Sequence, residues 1–534
     1  MRAVPLLRPC LVKKNRQNRR NSKKSSTRHK KMTTIRHGSL IGYGFLRESL
    51  RLPLPPLLHV ARRESVAAIE HTPEGLRVPP SVAPKGDDIL SHVQFALKHE
   101  GTDLAVLKLA LPHLDTRSFL AELRAAPGSG YLRLTGYLYE AFTGETLDDL
   151  PGVRGSYVDL FDSNRYYTCA GDKNSRWRVR FNGLGSLRYC PMVRKTERIG
   201  ALAAMDILGQ ANAFYASTDP GILDRALSWA YLSETEGSFA LERESPQSDK
   251  KDRFVALLRQ AHDPRPMSED YLVELQNSTV SNPFDQAVQY RTEQNWLRTK
   301  GLRGPAGVSY VPPAPDDAAA MMSDLLELLN RKPSDIDPIM LGALISFGFV
   351  FIHPFMDGNG RLSRFLMHYA LSQSGRLAEG LMLPISVAMK RDERDYLAAL
   401  QSFSRPTRAL WHVRMIDEVR FACESTAGDA MYRYWDATRC VEFIYEMALN
   451  ALKTDLVDET RYLQAFDQAY RLVNEHHDIR DHDLNNLIMW CAQNGGHVSK
   501  KRREQLGHRY RADVFDAVET AVRQAWADLP GARD

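Results

Sequence analysis

Between His353 and Arg364 the chain reads HPFMDGNGRLSR. Twelve residues bring together a histidine, an aspartate, an asparagine between two glycines, and two arginines three positions apart. Histidine is the side chain best suited to take a proton from a hydroxyl near neutral pH. Gly358 and Gly360 allow a tight turn and let main-chain N–H groups face inward. A helix begins near Asn359, and the free amides of its first turn attract anions. The helix dipole adds only ~0.3–1 kcal/mol per charge, so the arginines matter more. Arg361 and Arg364 project from one face of the first turn, and two guanidiniums at a helix N-terminus suit a polyphosphate. Asp357 beside phosphates makes sense with a divalent cation between them, since Mg²⁺ is commonly held by one carboxylate plus substrate phosphates. Taken singly, each feature has an ordinary structural explanation: a helix-ending histidine, surface arginines, a plain turn. Their concentration in one loop points to phosphate chemistry. The chain has no G-x-x-x-x-G-K-[ST] segment for a conventional nucleotide-binding loop.

Such a loop needs rigid elements on both sides. Before it, Asp337 is placed to cap a helix with Pro338 at its first position. Ile339 to Ile352 is apolar on every face, so this helix is expected at the centre of the fold. Pro354 ends it and forces His353 out of helical geometry. After the loop, Leu362, Phe365, Leu366, Tyr369 and Ala370 repeat at helical spacing. Upstream, Trp296 and Leu297, then Val308, Tyr310 and Val311, flank a Gly/Pro-containing stretch, predicting a β-hairpin ended by Pro312 and Pro313. From Pro191 to about 410 the text is helical. Residues 37–190 read as a mixed α/β domain with a few strands, and 411–534 as a helical C-terminal domain. Gly183-Leu184-Gly185 lacks a third glycine and a following helix, so it is not a dinucleotide loop.

At 534 residues the chain exceeds one ordinary core. The net charge of +6 is a property of the N-terminus: the first 31 residues hold 12 Lys/Arg and no acid, leaving −6 for the body. Residues 1–36 are expected to form a disordered basic tail. A surface- or nucleic-acid-binding arm, a transit peptide, and upstream sequence before a start at Met32 all fit, and the last is favoured. The cysteines (10, 169, 190, 423, 440, 491) form no C-x-x-C pair, which suits a reduced, cytoplasmic chain. No apolar run approaches the ~20 residues of a membrane span.

The stretch His353-Pro354-Phe355-Met356-Asp357-Gly358-Asn359-Gly360-Arg361-Leu362-Ser363-Arg364 resembles, without departure, the HPFx[DE]GNGRxxR signature of the Fic (Fido) family. The likeness extends over about Ser228–Arg405, with a core near 265–405. It implies a mainly helical fold and transfer of AMP from ATP to a Ser, Thr or Tyr hydroxyl of a protein. By that resemblance His353 is the base, Phe355 anchors the loop and Asp357 holds Mg²⁺ (or Mn²⁺). The amides of Gly358, Asn359 and Gly360 form the anion hole, Arg361 meets the β-phosphate and Arg364 the γ-phosphate. The hairpin with Trp296, Val308 and Tyr310 corresponds to the flap that holds the target as an added strand. Tyr396 and Leu400 are candidates for the adenine pocket.

Leu232 to Gly237, LSETEG, resembles the family's inhibitory motif [ST]xxxE[GN], with Leu232 where Ser or Thr belongs. By that likeness Glu236 reaches Arg364 and takes the place of the γ-phosphate. An exposed glutamate closing a helix at Gly237 is the plain alternative. Two alternative functions stay open: removal of AMP or transfer of another phosphate-containing group on the same scaffold, and a regulatory nucleotide- or DNA-binding protein. Expected partners are a protein substrate and ATP, with no membrane and no nucleic acid, and a homodimer is left open. EHHDIRDHD (475–483) lacks metal-site spacing, and SKKRREQLGHRY (499–510) reads as a solvated basic helix start.

Overall fold

A computed structural model describes residues 39–280, 286–299, 301–417, 420–426 and 428–527. The basic tail lies outside them. Among the described residues eleven short strands form four small sheets, and the rest is predominantly helical. Among the described residues no helix is long and apolar enough to cross a membrane.

Residues before 190 are mixed, as expected. Strands β1 (Ser39–Ile41), β2 (Val60–Arg63), β3 (Glu70–Thr72) and β4 (Gly75–Val78) form one sheet in the order β1-β2-β4-β3. A second sheet has the order β5 (Val158–Asp159), β7 (Val179–Phe181), β6 (Asp172–Asn174). Four helices between Ile89 and Thr143 pack beneath them. Trp177 is fully buried and presses on Gly136, where a Cβ would fall 2.1 Å from the indole. Its Nε1 donates to Glu140 at 2.7 Å. Buried apolar residues from Tyr43 to Leu456 form one continuous cluster, so this N-terminal layer is welded to the helices that follow.

At the centre is the apolar helix Pro338–Ile352, in which every residue but Val350 is buried. Asp337 accepts from the amides of Ile339 (2.9 Å) and Met340 (3.4 Å), and Pro338 occupies the first turn, where its missing N–H costs nothing. The motif helix, Asn359–Gln373, packs along it. A long helix, Pro220–Leu241, lies across the N-terminal end of the motif helix and against the helix Ile385–Arg391. The contact is close: a Cβ on Gly237 would sit 2.8 Å from the Ser386 main chain. Gly237 is therefore inside the helix as a small residue at a crossing and does not cap it.

The predicted hairpin is present as β8 (Leu297–Arg298) paired with β9 (Val308–Tyr310), with Trp296 just before it. A second hairpin, β10 (Trp411–Met415) with β11 (Phe421–Ser425), stands where helix was expected. Its sequence alternates, and Trp411, Val413 and Phe421 bury their face against Trp296, Val308 and Val311 of the first hairpin. Helices resume with the short Ala430–Arg433 and then Thr438–Asn450, and those between Val457 and Trp526 carry their own apolar cluster. This part is joined to the long helix by Arg225–Asp467 at 2.6 Å.

Candidate functional site

The chain leaves the apolar helix at Ile352, and His353 takes a left-handed conformation (φ 54°, ψ 61°) as its C-cap. A non-glycine residue there is uncommon, and its strain must be held by surrounding contacts. The ring Nδ1 lies 3.2 Å from the Val350 carbonyl. A carbonyl only accepts, so Nδ1 carries the proton and Nε2 keeps its lone pair. Burial pulls the imidazole down to about 4, with the Arg291 cation adding to the effect while the Val350 contact and the Glu242 and Asp357 charges oppose it. At neutral pH His353 is thus an uncharged proton acceptor.

The loop is braced from inside. Phe355 is 1% exposed, edge-on to Tyr290 and tilted against Phe349. The Asn359 side chain bridges the loop, accepting from Phe355 N (3.0 Å) and donating to Phe355 O (2.7 Å). Gly358 has φ +86°, which a side chain would resist. Asp357 is half exposed at the rim, with Oδ2 3.3 Å from Arg361.

Arg361 and Arg364 are 2% and 1% exposed, so both guanidiniums are taken out of water. Arg361 donates to the Thr279 carbonyl (3.0 Å) and to Glu244 (3.3 Å), and its cation lies 5.4 Å from the Phe239 ring centre. Glu244 is also paired with Lys250 at 3.0 Å. Arg364 donates from Nε to Ser238 Oγ (2.7 Å) and from Nη2 to Ser238 O (2.9 Å) and Glu242 Oε1 (2.8 Å). Among the described residues Arg361 Nε and Arg364 Nη1 have no hydrogen-bond partner. Buried, incompletely satisfied donors of this kind are costly unless an anion completes them. The Glu242 carboxylate stands directly over the helix N-terminus, since a Cβ on Gly360 would fall 1.9 Å from its Oε1. A carboxylate therefore already occupies part of the anion site.

The inhibitory contact expected for Glu236 is not made. Glu236 pairs with Lys251 at 2.6 Å, and the carboxylate on Arg364 belongs to Glu242. The long helix continues unbroken past Gly237, so Glu236 faces a different side; six residues on, the chain has advanced ~9 Å and turned about two-thirds of a revolution past full circle. Ser238 and Glu242 are four apart and reach the same guanidinium. Their spacing, Ser-x-x-x-Glu, was the available signal; Arg243 follows where Gly or Asn belongs, which hid it. The long helix is held in place by buried Glu234, which accepts from Ser386 N (2.7 Å) and pairs with His368 of the motif helix at 2.8 Å.

His353, Asp357, Gly358, Asn359, Gly360, Arg361, Arg364 and Tyr396 converge on one site. Tyr396 is 9% exposed, tilted against Phe347 and Phe443. Burial pushes its phenol up to about 12, with the charges of Arg364 and Glu242 both felt, which puts it beside that pair. Val308 and Tyr310 turn their side chains inward, and Tyr310 donates to the Phe351 carbonyl at 2.5 Å. They fasten the hairpin, leaving its main chain as what an added strand would meet. Arg291, Ser238, Glu242 and Glu244 were not singled out in the sequence. Among the described residues no cluster of three or more His, Cys, Asp or Glu could hold a metal, so a cation here would rest on Asp357 and substrate phosphates. The exposed carboxylate beside orphaned guanidinium N–H groups fits that arrangement.

A buried histidine, two buried arginines holding a carboxylate, and a hairpin are thus gathered around a left-handed helix end. Residues 266–371 match the Fic/DOC family, and the chain carries a Fic/DOC domain of mainly helical fold. It is 38% identical over 88 residues to the protein adenylyltransferase Fic of Nematostella vectensis, 16% of this chain and 19% of that one. To the protein of the same description from Drosophila willistoni it is 43% identical over 67 residues, 12% and 14% of the two chains. The alignments thus span less than a fifth of each relative. A Fic family protein from Desulfovibrio desulfuricans aligns over 61% of this chain and 89% of its own at 20% identity, with a TM-score of 0.37. A Fic-domain signalling protein from Bacteroides thetaiotaomicron aligns over 50% and 96% at 17%, TM-score 0.36. These overall likenesses are weak, and the Fic/DOC assignment of residues 266–371 rests on the sequence match.

Proposed function

We propose that the protein transfers AMP from ATP to a hydroxyl of a protein substrate, and that Glu242 restrains it. The observation that supports this reading is the Glu242 carboxylate lodged between Arg364 and the first turn of the motif helix: an anion is already accommodated there, as a terminal phosphate would be. With ATP seated, Arg361 and Arg364 would bind its β- and γ-phosphates, and the amides of Gly358 to Gly360 would face the phosphate chain. Asp357 would hold a divalent cation, which supplies charge neutralisation on the phosphates. His353 Nε2 takes the proton of the target hydroxyl. The hydroxyl oxygen bonds to the α-phosphorus, the bond to the bridging oxygen breaks, and pyrophosphate leaves against the two arginines. The β8–β9 hairpin would present the target as an added strand.

Because Arg364 Nη2 cannot serve Glu242 and a phosphate in full, seating ATP requires Glu242 to move. The test is label transfer from α-labelled ATP in lysate with Mg²⁺, comparing wild type, Glu242→Gly, and Glu242→Gly with His353→Ala, with γ-labelled ATP in parallel. Label from the α position alone, strong in Glu242→Gly and absent from the double variant, supports the reading. Label from the γ position would make the reaction phosphorylation. No label from either, with release of AMP from a modified protein, would make it removal of AMP.

A further inference from the structure

We propose that Arg291 is a positioning residue for His353, clamping the catalytic loop to both ends of the β8–β9 hairpin so that base and presented hydroxyl share one rigid frame. This rests on the adenylyl-transfer reading for its activity test, though not for its physical basis. Arg291 is 7% exposed. Its Nε donates to the His353 carbonyl at 2.8 Å, Nη1 to Glu293 O at 2.9 Å and Nη2 to Pro313 O at 2.5 Å, while its own amide donates to Pro354 O at 2.8 Å. Glu293 precedes β8 and Pro313 follows β9, so one guanidinium joins three segments. No carboxylate pairs with it among the described residues; every acceptor is main chain. Burial lowers it to about 10, so it is still a cation at neutral pH.

An unpaired buried charge is expensive, and evolution has inexpensive ways to cap a helix. Three features explain the arrangement together. The His353 carbonyl is one of the orphan acceptors at a helix C-terminus, where a cation is favoured by the dipole. Only arginine's rigid fork reaches three carbonyls in fixed directions. The left-handed turn at His353 needs outside contacts to persist, and Arg291 grips that residue's own carbonyl. The positive charge also opposes protonation of the neighbouring imidazole. The charges that reach the ring are Arg291, Glu242 from the end of the long helix, and Asp357 from the loop. Losing a clamp of this kind should disturb the reacting geometry and the base, and leave the phosphate contacts of Arg361 and Arg364 alone.

The test uses full-length Glu242→Gly protein as parent, with Arg291→Lys and Arg291→Met added, thermal melting as the check of folding, and MgATP binding by calorimetry. Expected for Arg291→Met is at least a tenfold fall in kcat, MgATP affinity within twofold of the parent, and an acid limb of kcat/KM displaced to higher pH. Arg291→Lys keeps the charge and loses the fork, so its kcat falls while its acid limb stays near the parent's. A folded Arg291→Met with unchanged kcat and pH profile overturns the proposal, as does a rate loss matched by weaker MgATP binding. Should Arg291→Met fail to fold, Arg291→Lys decides alone: unchanged kcat overturns it. If the parent transfers no AMP, the functional reading has failed separately. Titration of the His353 ring by histidine-selective ¹³C NMR, identified by its loss in His353→Ala, then decides: an upward shift in Arg291→Met sustains the proposal and no shift overturns it.

Discussion

Replacing Glu242 with glycine should convert a restrained protein into an ATP-accepting one, by an amount the geometry bounds. Glu242 Oε1 is 2.8 Å from Arg364 Nη2, the guanidinium being 1% exposed and the carboxylate 37%. A hydrogen bond to a charged group contributes ~1.5–3 kcal/mol. The partial exposure of the carboxylate places this one in the lower part of that range, ~1.5–2 kcal/mol, because solvent screens the pair. At ~1.4 kcal/mol per decade, removing the competitor should tighten apparent ATP binding ~10–30-fold. The guanidinium then loses its one carboxylate partner among the described residues, so the ligand-free variant should melt below wild type and recover more on adding MgATP. Binding is read by calorimetry and transfer by α-labelled ATP. Glu236→Gly is the control: its ion pair with Lys251 is partly exposed on both sides, a class worth ~0–1 kcal/mol, and its loss should leave ATP binding unchanged. Unchanged binding in Glu242→Gly, or equal activation by Glu236→Gly, would refute the assignment of the restraint.

The acid limb of transfer should follow His353. With its imidazole held to about 4, the base stays neutral and the rate level until the pH approaches that value, whereas an ordinary histidine would fail near ~6.5; measured kcat/KM falling already at the higher pH would contradict the buried base. The sign for stability is opposite in origin: the unfolded chain protonates this histidine first, so folding stability declines as pH drops below ~6.5, visible as a falling melting temperature. Asp357→Asn should raise the Mg²⁺ needed for half-maximal transfer by tenfold or more while leaving the melting temperature near wild type, since the carboxylate is half exposed; an unchanged Mg²⁺ dependence places the cation elsewhere. Gly237→Ala should destabilise by ~1–3 kcal/mol, because its Cβ would meet the Ser386 main chain at 2.8 Å; a neutral effect in denaturant melts would mean the helix crossing is looser than described.

The shape of residues 353–364 could be read directly because it is local. Glycines at a turn, arginines three apart on a first helical turn, and a proline ending an apolar helix act through contacts along the chain, and the spacing alone conveys them. The apolar helix with its Asp337 cap and the first hairpin were legible for the same reason, each a periodicity in a short stretch. The second hairpin, Trp411–Ser425, was missed because its alternating face is stabilised by Trp296 and Val308, more than a hundred residues upstream, and strand preference depends on such context. Glu236 and Glu242 differ little as text. Which of them meets Arg364 was settled by the close crossing at Gly237 and the buried Glu234–His368 pair, which set the rotation of the long helix. Arg291 is one arginine among many in the sequence, and only the fold gathers three main-chain carbonyls around it. What the amino-acid sequence determined by itself was the helix–loop–helix that carries His353 and the two arginines, through short-range geometry. What only the tertiary structure decided was the partners of the buried charges, because desolvated cations take whichever acceptors packing brings within reach, and packing depends on the whole core.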